Sequence, residues 1–213
     1  GFRNVLLVDG IRLNNSAFRE GANQYWNTVD PYSFHMVEVL KGPAAVPYGS
    51  DAIGGAVNVI SAIPGGAAGF DPRFVYRYAD AESSQTIRGE AAFRGENLRA
   101  AAGVTGKDYG NVTAGGGTGE QPKTGYDEQD ADLRVEYDLG EQTELALGYQ
   151  YVNQDDAWRT HRTIYGISWR GTTVGTDRKL SFDQRRQLGY LQLSHEGLGA
   201  AADTVRVSLS YHE

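Results

Sequence analysis

From about Phe70 onward the side chains alternate between apolar and polar with a period of two, the signature of strands that bury one face. In EQDADLRVEYDL, Gln129, Ala131, Leu133, Val135, Tyr137 and Leu139 share one face, while Glu128, Asp130, Asp132, Arg134, Glu136 and Asp138 share the other. In TELALGYQY, Leu145, Leu147, Tyr149 and Tyr151 oppose Glu144, Ala146, Gly148 and Gln150. In TVRVSLSYH, Val205, Val207, Leu209 and Tyr211 oppose Thr204, Arg206, Ser208 and Ser210. The rule also fits Phe74, Tyr76 and Tyr78 against Arg73 and Arg77, and Ile87, Ala91 and Phe93 against Arg88, Glu90 and Arg94. It fits Leu98, Ala100, Ala102 and Val104 against Arg99. The segment RQLGYLQLSHE is ambiguous: Leu188 and Tyr190 fall on one face, Leu191 and Leu193 on the other.

The pattern predicts about seven strands, joined by connections of two kinds. Residues 95–97, 140–142 and 197–201 make short turns, whereas 107–128 and 155–183 are long. The connection at 81–84 is a short one on the long-loop side. Short turns at one end and long loops at the other are the plan of an outer-membrane barrel. A soluble sandwich with one buried face per strand gives the same alternation. Two features favour the barrel. The polar face is densely charged, with strands of roughly 10 residues, the length a tilted strand needs to cross a bilayer. Tyr137, Tyr149, Tyr151 and Tyr211 recur toward strand ends, where interfacial girdles sit.

Residues 1–64 have a different texture. NVLLVDG reads as a buried strand ended by an Asp-Gly turn, and MVEVLK and GGAVNVIS read as further strands. Asp30-Pro31 is expected to start a short helix, with Asp as cap and Pro in the first helical position. AAVPYG is expected to be a tight turn or a single helical turn. Together these make a small α+β unit. The first residues already read as a strand, and DTVRVSLSYHE stops inside one, so the sequence is expected to be part of a longer chain.

Composition narrows the function classes. Of 213 residues, 27 are acidic and 20 basic, for a net charge of −7, which argues against nucleic acid as a partner. There is no cysteine, so neither disulfides nor thiolate metal sites are needed. No run of 18 apolar residues exists to form a transmembrane helix. Mean hydropathy is negative, as expected when each strand offers only half its residues to lipid.

The stretch VEVLKGPAAVPYGSDAIGGAVNVIS, Val37 to Ser61, resembles the end of the plug domain of TonB-dependent outer-membrane receptors. VLLVDGIRLNN and VDP upstream resemble the same domain in the same order, so the likeness covers residues 5–61. It implies a fold that is mainly β: a partial antiparallel transmembrane β-barrel of about seven strands (residues 65–213), preceded by part of a small α+β plug domain (residues 1–64). Receptors of this type close with ~22 strands, so seven cannot close one. Gly42, Gly49, Gly54 and Gly55 suit the tight turns of a compact plug. Glu38 and Lys41 occupy positions that, by resemblance, face charges on the barrel wall and lock the plug. Buried charges of that kind must be paired. Asn58 is expected to be a turn or strand-end hydrogen bonder. Ala44, Ala45 and Pro47 depart from the usual residues, and no TonB box is visible in these residues.

The resemblance implies uptake of a scarce ligand, with an iron–siderophore complex first and cobalamin or haem next. A passive porin and a soluble β-sandwich binding module are the readings from other classes. The implied partners are outer-membrane lipid, a TonB energy-coupling protein, and a small-molecule ligand such as a metal chelate. No cofactor is implied. The implied ligand surface is the plug apex: Asn14, Asn15, Arg19, Asn23, Gln24, Tyr25 and Trp26 in one loop, and Pro43 to Tyr48 in the other. His35, His161, His195 and His212 lack any metal-ligand spacing, so no metal site is expected. His161, with Trp158, Arg159 and Arg162 in a long loop, offers a conceivable haem contact; a solvated loop is the plainer reading. YGSDAIGG is not a nucleophile elbow and GGGTGE is not a phosphate loop, so no catalytic set is read.

Overall fold

The computed structural model describes residues 4–13, 25–43, 48–49, 52–63, 65–199 and 202–213. The plug portion holds strands β1 (Asn4–Val8), β2 (Ile11–Arg12), β3 (Phe34–Lys41) and β4 (Gly55–Ser61), in the sheet order β2-β1-β4-β3. β1 runs parallel to β4, and β3 pairs antiparallel with it. A 3-10 turn spans Tyr25–Thr28. Asp30-Pro31 forms a turn rather than the start of a helix. Ser33 N–H donates to the Asp30 carbonyl (3.1 Å), Tyr32 N–H donates to its carboxylate (3.3 Å), and β3 begins at Phe34 before a helix could develop. Most of AAVPYG lies outside the described residues.

The second portion is one antiparallel sheet of seven strands in the order β13-β12-β11-β10-β7-β6-β5. Its members are β5 (Gly69–Ala79), β6 (Ser84–Arg94), β7 (Leu98–Tyr109), β10 (Tyr126–Gly140), β11 (Thr143–Trp158), β12 (Ser181–Glu196) and β13 (Thr204–His212). A small hairpin, β8 (Thr113–Ala114) with β9 (Gly119–Glu120), fills the long connection after β7. Apart from that hairpin each strand pairs with its neighbour in sequence, so every turn of the meander is local.

The sheet is inverted relative to a water-soluble protein. On its buried face lie Arg88, Thr105, Lys107, Glu128, Asp130, Gln150, Arg186 and Gln192, each less than a tenth exposed. The other face carries Phe74, Val104, Leu147, Leu191 and Leu209 in the open. Register places Phe70, Phe93, Ala100, Val135, Leu147, Leu191 and Leu209 in one continuous outward row. On β10 the apolar outward positions run from Ala131 to Leu139. That is roughly 27 Å along the strand, or about 21 Å after a ~40° tilt, near the height of a lipid-facing belt. At the long-loop end the belt stops at Asp108, Asp127 and Asp155, which are direct cross-strand partners. Like charges so placed repel one another, which suits a position in water above the bilayer rather than within it.

On the inner face the same register makes polar rows. Arg88, Thr105, Asp130, Val152 and Arg186 form one. Glu90, Gly103, Asp132, Gln150 and Leu188 form the next, followed by Ala92, Ala101, Arg134, Gly148 and Tyr190. The plug packs against these rows. Its residues Val8, Leu13, Val29 and Val59 share one apolar cluster with Leu188 and Tyr190 of the wall. This accounts for the double-sided apolar pattern on β12. Leu191 and Leu193 face outward, and Leu188 and Tyr190 face inward because the plug sits there.

Candidate functional site

Two plug carboxylates enter the wall. The first is Asp9, in the tight turn between β1 and β2, where its φ of 50° and that of Gly10 (79°) turn the chain sharply. Its carboxylate accepts from Ser61 N–H (2.9 Å) and Ser61 Oγ (2.5 Å) within the plug. On the wall side it accepts from Tyr190 Oη and pairs with Arg134 Nη1 at 3.3 Å. Arg134 also donates to Tyr190 Oη (2.7 Å) and to Glu136 (2.7 and 3.0 Å). Gln192 donates to the Asp9 carbonyl at 3.0 Å. Glycine makes this contact possible: a Cβ on Gly148 would lie 2.0 Å from the Tyr190 ring.

The second is Asp30, 3% exposed at the turn before β3. It pairs with Arg88 Nη1 (3.3 Å) and Lys107 Nζ (3.1 Å), and Thr105 Oγ1 donates to it at 2.6 Å. Wall acids crowd the same cations. Arg88 is held by Asp132 at 2.8 and 3.2 Å and by Glu90 at 2.7 Å. Lys107 is held by Asp130 (2.7 Å) and Glu128. Arg88 lies flat over Gly103, where a Cβ would meet its guanidinium at 2.1 Å. Neutral contacts complete the seam: Arg186 Nε donates to the Thr28 carbonyl (2.7 Å), and Gln154 donates to the Asn27 carbonyl (2.7 Å). The arrangement docks the plug against the wall through buried ion pairs.

The residues singled out in the sequence are distributed as follows. Glu38 and Lys41 lie exposed on β3. Glu38 accepts from Asn58 Nδ2 (3.0 Å), and Asn58 in turn accepts from Gly10 N–H (3.0 Å), so Glu38 supports the Asp9 turn from behind. Among the described residues, the charged contacts from plug to wall are made by Asp9 and Asp30. Asn14, Asn15, Arg19, Asn23 and Gln24 lie outside the described residues, and Tyr25 opens the 3-10 turn. Trp26 packs against the plug–wall apolar cluster. Pro43 is exposed, whereas Tyr48 packs against the plug core of Val5, Leu7, Ala52 and Ala56. His161 is exposed, and the indole of Trp158 is covered by Lys123 (4.2 Å) beside Tyr165. In sequence Asp9 was legible only as part of an Asp-Gly turn, and Asp30 only as a helix cap. Their wall partners Arg134, Tyr190 and Arg88 lie far along the chain; inward parity marks Arg134 and Arg88, whereas the face of Tyr190 is ambiguous in sequence.

Comparison with known proteins bears first on the plug portion. Residues 1–56 match the family model described as the TonB-dependent receptor plug domain. The chain carries a TonB-dependent receptor plug domain. It is 28% identical over 120 residues to the rhizobactin receptor of Rhizobium meliloti (strain 1021), covering 54% of this chain and 16% of that relative. It is 42% identical over 57 residues to the vitamin B12 transporter BtuB of Vibrio vulnificus (strain CMCP6), covering 27% of this chain and 9% of that relative. Among solved structures, the FrpB iron transporter of Neisseria meningitidis (F3-3 variant) aligns over 98% of this chain and 33% of its own, with a TM-score of 0.78 at 15% identity. The ferric-catecholate import receptor Fiu of E. coli K12 aligns over 99% of this chain and 32% of its own, with a TM-score of 0.60 at 22% identity. These structural likenesses carry the fold alone: a plug sheet docked against a wall of antiparallel strands. The chain spans a small part, well under two thirds, of each of these relatives.

Proposed function

We propose that this chain forms the later plug (residues 1–64) and first wall strands (residues 65–213) of a receptor that actively imports a scarce ligand, an iron–siderophore complex, across the bacterial outer membrane. The boundary rests on β4 ending at Ser61 and β5 beginning at Gly69. The carrying observation is the plug itself, held in the lumen by Asp9 and Asp30 against a polar wall whose outer face is apolar. A stoppered lumen needs a driven displacement before a solute can pass, which a passive porin does not. A soluble sandwich would bury the leucines that here face outward.

The ligand is held at the plug apex by Asn14, Asn15, Arg19, Asn23, Gln24, Tyr25, Pro43 and Tyr48, a mixture of amide, guanidinium and aromatic groups suited to a large polar chelate. Glu38 and Lys41, exposed on the plug's edge strand, lock onto wall strands beyond those of this chain. A TonB-type periplasmic partner supplies the energy. Siderophore import is favoured by the names of the rhizobactin and ferric-catecholate receptors. The cobalamin alternative draws on the BtuB likeness, which covers 27% of the chain.

The test is growth of a deletion strain carrying the full-length gene. Restored growth on ferric siderophore under iron limitation, abolished by a protonophore, is expected. Restoration only under cobalamin limitation moves the reading to the alternative. Ligand entry that ignores the protonophore refutes active import.

A further inference from the structure

The wall's charge around Asp30 is already balanced without the plug. Four wall cations, Arg73, Arg88, Lys107 and Arg186, stand among four wall carboxylates, Glu90, Glu128, Asp130 and Asp132. The wall pairs are also the closer ones. Arg88 meets Asp132 at 2.8 Å and Glu90 at 2.7 Å but Asp30 at 3.3 Å; Lys107 meets Asp130 at 2.7 Å but Asp30 at 3.1 Å. The Asp9 seam repeats this: Arg134 meets Glu136 at 2.7 Å and Asp9 at 3.3 Å. One mismatch remains. Asp130 is held by Lys107 at 2.7 Å, and Arg186 Nη1 is buried with no hydrogen-bond partner among the described residues. The two flank Val152 on a single cross-strand row, so their backbones lie about two strand spacings (~9.6 Å) apart, within reach of an extended arginine.

We propose that these competing wall carboxylates are a release device: Asp132, Glu90, Glu128, Asp130 and Glu136 compete with Asp30 and Asp9 for the wall cations and keep them paired when the plug moves. Breaking a buried pair normally leaves an orphaned charge, which is strongly unfavourable. Here the departing partner is always the plug acid, which goes into water. Arg186, losing the Thr28 carbonyl, turns to Asp130. The plug is held by a wall that exerts no net electrostatic pull on it, and so can be displaced and reseated.

The inference rests on the plug moving, as the import reading requires, but its test needs neither ligand nor energy. In the full-length receptor, with any other reactive thiol replaced, Val29→Cys sits in the plug–wall cluster and becomes labelled only when the two separate. Labelling is followed against urea. Asp132→Asn leaves the wall one positive charge in excess, so plug release shifts to higher urea, with the labelled fraction at the wild-type midpoint falling on the order of tenfold. In an Asp30→Asn background the shift disappears. Release at unchanged or lower urea in Asp132→Asn, or an equal shift without Asp30, overturns the proposal. If Asp132→Asn does not assemble, Glu128→Gln beside Lys107 is read in the same way.

Discussion

At the scale of single residues, the lock depends on where a side chain is missing as much as on which charges are present. Gly148 and Gly103 lie under Tyr190 and Arg88, and an added methyl would overlap both partners at close to 2 Å. Gly148→Ala is expected to push Tyr190 off Asp9 and weaken plug docking by about 1–3 kcal/mol, the usual cost of overpacking. A lowered urea midpoint for plug release in the full-length receptor checks it; an unchanged midpoint means Tyr190 has room that the geometry denies. Asp9→Asn separates charge from backbone. Asn tolerates the positive φ of this turn as well as Asp does. The change removes the ion pair to Arg134 and turns an acceptor into a donor facing Tyr190 and Ser61. A loss of about 1–3 kcal/mol in docking is expected, measured as above, with the barrel still resistant to heat. Neither residue was readable as a lock. An Asp-Gly pair after an apolar run signals a turn on local grounds, and the group that makes it more, Arg134, is 125 positions away.

At the scale of the strand, the alternation carried nearly all that was needed. The seven barrel strands and the faces of Leu133, Leu147, Val207 and their neighbours follow from period two alone. β12 is where the period failed, because inward positions there meet apolar plug rather than a polar lumen. Leu188→Ala is therefore expected to cost about 2–5 kcal/mol as a cavity in the plug–wall cluster. Leu191→Ala, which faces outward, should leave plug release unchanged; equal effects on release would contradict the assigned faces. On β11, Leu147→Arg puts a charge on the outward face at a cost of about 2–4 kcal/mol at mid-bilayer and should block assembly. Glu144→Gln on the inward face should be mild, since its partner Arg99 keeps Glu136 and Asp138. Heat-modifiable mobility of the full-length variants reports both. The helix expected at Asp30-Pro31 shows the limit of local signals. The capping chemistry is present, but the strand starting at Phe34 leaves no length for a helix, and the carboxylate is engaged with Arg88 and Lys107.

At the scale of the whole molecule, a polar-cored sheet and an apolar exterior make sense only if the exterior meets lipid and the core is filled by a separate body. The motif-rich first 64 residues pointed to that body, and the alternation pointed to its container. What neither conveyed is how the two fit, since docking depends on cross-chain register that no short stretch encodes. The most direct test is cysteine scanning of residues 144–151 in the full-length receptor in lipid vesicles, with a fluorophore at each position and a quencher dissolved in the acyl chains. Quenching that rises at 145, 147, 149 and 151 and falls at 144, 146, 148 and 150 is the expected result. The opposite parity, or no alternation at all, would contradict the account.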